Sequence, residues 1–438
     1  MHLLSILNIS KSSLLSVLLA ILPFSFIAGN MLININIILL ILTSFIFYRR
    51  KVFKIDFYFL DKLIISFFVF VLFSGFYNYY FFNLEGVISY LASPLKSIFF
   101  LKYLAFYFVV RFLIEKNVIN LKLFFIFCSI SVLFVTLDII LQFFAGKDIF
   151  GFAAQGRKLS GPFGDELIAG GFIQRFSLFL FFLIPLYFSN KIPKNFNKYL
   201  VVFLFMIIFS GIILSGNRMP AVIFLLSIIL IILFNKQVRK FLIPFLIIFP
   251  VVFVIIFKTN ETIRVNFMGF FDQIKKTTTY VVKKDFFNER APQYLKEFSS
   301  FYDTWLMNKY IGGGIKNFRF YCHHRPNIDK NNEFICNMHP HNYYLEILTE
   351  LGILGFLIIT SIFLIVLYNS FYKKYISASL FNNNIIIIPF IFLFIAEIFP
   401  IKSTGSFFTT GNTTYLFLII GILIGLIRKE NSIENEYQ

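Results

Sequence analysis

The sequence predicts an all-α polytopic membrane protein of about twelve transmembrane helices with one large segment outside the bilayer, and three observations predict it. Of its 438 residues 58% are hydrophobic and 14% charged, with a mean hydropathy of +0.80. A soluble protein of this size could not hide so much apolar surface. The apolar residues are also gathered into runs long enough to cross a bilayer. Finally, the net charge of +18 sits mostly in the short loops between those runs. In a soluble chain such a charge would suggest nucleic acid; here it is a membrane signature, and no nucleic-acid partner is expected. The 66 Phe say more about genome composition than about a site.

In chain order the runs fall at 14–29, 31–47, 60–77, 98–114, 121–144, 167–188, 199–214, 219–234, 241–257, 343–368, 384–399 and 414–427, with a re-entrant or interfacial piece at 79–97. Lys11 followed by the run from Leu14 to Ala28 resembles a signal peptide, but another apolar run opens at Met31, so it is read as a retained first helix. Loop charge sets the orientation. Arg49, Arg50, Lys51 and Lys54 follow the second helix, Lys191, Lys194 and Lys198 the sixth, and Lys236, Arg239 and Lys240 the eighth. Lys373 and Lys374 follow the tenth, and Arg428 and Lys429 the twelfth. These even-numbered exits are basic, which places both termini in the cytoplasm and the segment from Lys258 to Asn342 outside, in the periplasm of a Gram-negative cell. The chain divides accordingly into helices one to nine (1–257), a periplasmic segment with amphipathic helices (258–342), and helices ten to twelve with a cytoplasmic tail (343–438).

Within the external segment, residues 262–276 mix Ile263, Phe267, Phe270, Phe271 and Ile274 with Lys275 and Lys276, the pattern of a helix lying along a membrane surface. Residues 291–308 place Leu295, Phe298, Tyr302 and Trp305 on one helical face, and Gly312, Gly313 and Gly314 are read as that helix's stop and a turn. Cys322 and Cys336, with thirteen residues between them, are expected to form a disulfide in that oxidising compartment. On the chain-entropy model the loop they close would contribute about 3 kcal/mol. Cys128, inside the fifth helix, is read as inert packing.

The chemistry is expected where this segment meets the tenth helix, in HPHNYYLEILTELGILG at 339–355. His341-Asn342 is followed by nine residues, Gly352, two more residues and Gly355. His341 stands where a neutral imidazole can accept a proton from a sugar hydroxyl; the plainer reading is an interfacial histidine bonded to a headgroup. Asn342 reads first as the helix cap, and the helix N-terminus so organised favours phosphate anions. Cys322, His323, His324, Cys336, His339 and His341 are all potential zinc ligands, but their spacing fits none of the common paired-ligand patterns, and no metal is expected.

Arginines outside the basic loops form the second signal. Arg218 follows Ser215-Gly216-Asn217, Arg175 lies near the external end of the sixth helix, Arg290 precedes Pro292, and Arg157 precedes SGPFGDE. A guanidinium can grip a diphosphate through two parallel hydrogen bonds. The alternative is snorkelling, or pairing with acids such as Asp165, Glu166 or Glu289. Asp138 and Glu397 are intramembrane acids with no evident partner. There is no Walker A sequence, no clear dinucleotide fingerprint and no DxD pair in an external loop, so nucleotide-driven transport and nucleotide-sugar transfer lack support.

The stretch PHNYYLEILTELGILG, with its spacing from His341-Asn342 to Gly352 and Gly355, resembles the signature of O-antigen ligases and the related polymerases. SGNRMPA at 215–221, SGPFGDELIAGGFIQRF at 160–176 and FPIKSTGSFF at 399–408 add to the likeness, as do their order and the helix count, and together they cover most of 150–425. Met219-Pro220 departs from the small residues common after the matching arginine. The resemblance implies a GT-C-like inverting glycosyltransferase that needs neither cofactor, metal nor nucleotide. It would move a glycan from undecaprenyl diphosphate to lipid A-core, or to another glycan acceptor, on the periplasmic face of the bacterial inner membrane. His341 would activate the acceptor hydroxyl and Arg218 and Arg290 would hold the diphosphate, with Arg175, Arg157, Asn342 and His339 as further substrate-binding positions. An O-antigen polymerase and a protein O-oligosaccharyltransferase share this signature. A transporter of lipid-linked sugar is the non-enzyme alternative, disfavoured because the candidate groups gather at the external helix ends instead of along a central path.

Overall fold

A computed structural model describes residues 10–81, 92–154, 158–188, 194–234, 239, 250–251, 253–255, 257–258, 261–283, 292–325, 336, 339–377, 385–402 and 405–436. Their elements are helical, and the β pairing among the described residues is a single bridge between Lys147 and Ala153. In order the helices are α1 (Lys11–Ala20), α2 (Leu22–Ile27), α3 (Asn30–Tyr48), α4 (Phe59–Phe81), α5 (Ala92–Phe100), α6 (Lys102–Glu115), α7 (Leu121–Ala145) and α8 (Ala169–Leu183). There follow α9 (Lys194–Leu214), α10 (Arg218–Phe234), α11 (Glu261–Lys283), α12 (Gln293–Met307), α13 (Phe318–Tyr321), α14 (Tyr343–Leu367), α15 (Ile388–Glu397) and α16 (Thr410–Glu436).

Seven helical stretches are long and apolar enough to cross a membrane, and four shorter apolar ones accompany them. In a bilayer the backbone must satisfy its own polar groups, which is why each apolar run becomes helix. Each of these stretches coincides with one of the runs read from the sequence, and the run 241–257 lies largely outside the described residues. The fourth span starts at Ser93, so the last part of the piece expected at 79–97 belongs to that helix; residues 82–91 lie outside the described part. The core is formed by α6 against α16 and by α7 against α8, with Tyr107, Phe124, Phe125, Phe176, Phe179 and Tyr415 fully buried. Gly425 lets α16 approach α6 closely: a Cβ there would stand 2.7 Å from the Ile114 Cβ.

The element that positions the site is α14, and it is broken. Gly352 leaves the helical conformation at φ 64°, ψ −170°, which frees backbone groups inside a span. The glycine segment takes them up. Gly313 N donates to Thr349 O at 3.0 Å and Gly314 N to Glu350 O at 2.8 Å, while Ile353 N donates to Lys309 O at 2.8 Å. The Glu350 carboxylate accepts from Lys316 N at 2.6 Å and Phe318 N at 3.3 Å. A non-helical turn inside a span is tolerated only where protein re-satisfies its backbone in this way. The triple glycine is therefore not the stop of the preceding helix as the sequence suggested. That helix, α12, ends at Met307, and Gly312–Gly314 instead give close backbone access to α14.

The face of α12 named in the sequence is mixed in exposure. Leu295 is buried while Phe298 and Tyr302 are exposed, and on the rest of the helix Glu297, Ser300, Phe301, Asp303 and Thr304 are buried. An adjacent charge makes this possible: buried Arg325 stands beside Asp303, whose carboxyl burial pushes up while Arg325 pulls it down. The exposed Tyr302 and half-buried Trp305 rings lie 5.9 Å apart, in keeping with an aromatic face toward a membrane–water boundary. A helix is present over the residues 262–276 and is longer, as α11. At the far end of the bundle a buried pair missed in the sequence, Arg111 with Asp61 at 2.6 Å, ties α6 to α4.

Candidate active site

The site is assembled on the first turn of α14. Asn342 is extended (φ −148°, ψ 130°), and its Oδ1 accepts from Tyr344 N at 3.0 Å and Leu345 N at 3.3 Å, capping the helix. Its Nδ2 donates to Pro400 O at 2.7 Å, so one side chain fixes both the helix start and the loop between α15 and α16. Glu346, one turn on and buried, accepts from Ser406 Oγ and Phe407 N and holds the far end of that loop. His341 therefore leaves a rigid junction, exposed at its edge.

Beneath it lies a buried charged network. Glu397 Oε1 accepts from Arg175 Nη2 at 2.7 Å and from Tyr343 OH at 2.6 Å. Its Oε2 accepts from Arg175 Nε at 3.1 Å and from Lys402 Nζ at 2.6 Å. Arg175 Nη2 also donates to Asn412 Oδ1 at 2.6 Å. The partner of Arg175 is thus Glu397, from 222 residues away, and not the nearby acids the sequence offered. Burial lowers the Lys402 ammonium to about 8, against the opposing pull of Glu397.

The His339 and His341 rings meet edge-to-face with centroids 5.1 Å apart. Burial, and then the neighbouring His341, hold the His339 imidazole down at about 4. It is neutral at pH 7 and adds no charge beside His341. The pH dependence follows: an unfolded histidine takes up its proton below about 6.5, whereas the folded one does so only near 4. The unfolded chain then binds more protons in that window, so stability present above it is lost as pH falls through it. The thermal midpoint of the purified protein should fall across this range in excess of what His339→Gln shows; parallel curves for the two proteins would contradict this.

Arg218 opens α10 and is half-buried, with its guanidinium facing Gly269 on α11. Just before it, Ser215 and Asn217 pack on Gly170, in the first turn of α8, where an added Cβ would stand 3.0 Å from Asn217 Cβ. Arg175 lies five residues further along the same helix and donates to Tyr343 OH at 3.3 Å. Arg218, Arg175 and His341 therefore share one end of the bundle, linked through α8. Arg290 and Arg157 lie outside the described residues.

Cys322 and Cys336 are bonded to each other, with a Cα separation of 5.6 Å, which withdraws both sulfurs from metal ligation. Buried Arg325 braces the bridge, its Nη1 donating to Cys322 O at 2.8 Å and to Cys336 Sγ at 2.7 Å. The bridge is near in sequence to His339, and Cys128 is a free buried thiol. Tyr343, Lys402 and Asn412 were not singled out in the sequence. Of these only Lys402 had a signal, the polar stretch KSTGS between apolar helices. Asp138, without an evident partner before, accepts from Ile149 N at 2.8 Å and anchors the loop after α7.

Residues 202–360 match the family model described as O-antigen ligase. Over that segment the chain is similar to O-antigen ligases. Within it lie Arg218, the disulfide, the glycine segment, His341 and both Gly352 and Gly355. The charged network reaches beyond it, since Arg175, Glu397, Lys402 and Asn412 flank the matched region on either side. No curated protein matches the chain.

Proposed function

We propose that this chain is an O-antigen ligase-type glycosyltransferase, joining polymerised glycan from undecaprenyl diphosphate to the lipid A-core at the periplasmic face of the inner membrane. The observation that carries the reading is the family match over 202–360, with His341 at the capped, immobilised start of α14 inside it. The reaction is a direct displacement at the anomeric carbon. His341 removes the proton of the acceptor hydroxyl as the new glycosidic bond forms, and the diphosphate leaves with the bonding pair. Arg218 and Arg290 neutralise the charge that develops on the leaving group. The disulfide and Arg325 stiffen the segment that carries His339 and His341, which supports a fixed base.

A null strain tests this. The expected profile is loss of long chains from lipopolysaccharide while long lipid-linked polymer accumulates. Retention of single repeat units alone would mean a polymerase and overturn the ligase reading. Transfer by the purified protein in detergent, with no membrane to cross, separates an enzyme from a transporter.

A further inference from the structure

The network beneath His341 holds more positive charge than its own carboxylate requires. Arg175 and Lys402 are two cations, and among the described residues Glu397 is the one acid that both contact. Their side chains are 14%, 9% and 1% exposed respectively for Arg175, Lys402 and Glu397. One cation would suffice as a structural counter-ion, and burying a second is costly unless an anion meets it. Glu346, which holds the same loop, does not supply it, because its carboxylate is turned to Ser406 Oγ and Phe407 N. Donors remain. Among the described residues the hydrogen bonds of Arg175 run through Nε and Nη2, and Lys402 uses one of three ammonium protons. Lys402 stands two residues from Pro400, whose carbonyl is bound to Asn342 beside His341.

We infer that Glu397 is a positioning residue that turns Lys402 and Arg175 toward a common anion, the diphosphate of the lipid-linked donor, and that Lys402 is a binding residue for it. The inference rests on the function proposed above, and it extends the binding set to a lysine outside the matched family segment. Glu397 uses all its acceptor capacity on three side chains from α8, α14 and the loop after α15, so it fixes where the spare protons point. At pH 7 the ammonium is charged, and it is lost as pH rises through about 8. The groups facing it are Glu397 and Arg175, with the Tyr343 hydroxyl on the same carboxylate.

The test uses the purified full-length protein and inorganic diphosphate as the probe, with calorimetric binding measured beside glycan transfer. Lys402→Met keeps the apolar stem and removes the charge. It should weaken diphosphate binding and raise the donor KM by roughly ten- to hundredfold, the scale of one charge-assisted hydrogen bond, with kcat much less affected. The wild-type protein should lose binding as pH passes about 8, and Lys402→Arg should retain it there, because guanidinium stays charged. Glu397→Gln should weaken binding although it removes a negative charge, which a purely electrostatic view would not expect. Unchanged binding and KM in Lys402→Met, with only a lower melting temperature, would make Lys402 a structural counter-ion and overturn the inference. So would wild-type protein that does not bind diphosphate. Diphosphate binding that depends on Lys402 in a protein that transfers no glycan would instead leave the subsite standing and overturn the function.

Discussion

His341→Ala is expected to lower glycan transfer by about 10²–10⁴-fold, the usual contribution of a positioned general base. This equals roughly 2.7–5.4 kcal/mol of lost transition-state stabilisation. The side chain is exposed and lies before the cap residue, so its removal leaves the Asn342 cap, the Glu397 network and the α14 backbone bonds in place. The variant should therefore insert and melt like the parent, and the loss should appear in kcat for the acceptor reaction. His323→Ala, also exposed and in the same segment, serves as the control and should transfer normally. The neighbouring ring decides the size of the effect. His339, held neutral at pH 7 by burial, is 5.1 Å away between centroids and partly enclosed, so it cannot take over a hydroxyl bound at the exposed edge. Near-normal transfer by His341→Ala, with the double variant alone inactive, would remove His341 from the base role and leave the pair as interchangeable.

Why some of this was legible in the sequence and some was not comes down to the range of the interactions. Helix existence is a local property: an apolar run of bilayer length has one low-energy conformation, and eleven runs read that way coincide with apolar helices. The Asn342 cap is local too, since its acceptor reaches only two and three residues ahead. Arg175 illustrates the opposite case. Its burial was readable, but its partner lies 222 residues away across the bundle, and acids closer in sequence were the natural candidates. The partner of Lys402, Glu397, lies only five residues away, but across the end of a helix that the sequence does not show turning back. Burial along α12 was not legible for a related reason. Asp303 is carried inward with Arg325 beside it, while Phe298 and Tyr302 lie outside. The glycines of the family signature were legible as positions and not as purpose.

Their purpose leads to the second large effect, on folding. Gly352→Ala is expected to destabilise the protein by about 2–5 kcal/mol, combining the left-handed backbone penalty with overpacking. The φ of 64° already disfavours any side chain. In addition, a Cβ there would collide with the Tyr310 carbonyl and stand 2.6 Å from Ile311 N. These are backbone atoms bound into the ladder that closes the break in α14, so they cannot turn aside as a side-chain tip would. Moving them would also release Gly313 N and Gly314 N from the Thr349 and Glu350 carbonyls inside the bundle, where no water replaces a lost partner. Gly312→Ala faces the same geometry from the other side, at φ 75° with a Cβ 2.5 Å from Gly352 N, and should cost a similar amount. Gly171→Ala is the contrast, because nothing lies within 4 Å of its added Cβ and the position is helical. Thermal midpoints of the three purified variants should place Gly171→Ala with the parent and the other two well below it. If Gly352→Ala melted with Gly171→Ala, the ladder would not be what holds α14, and His341 would need another source of rigidity.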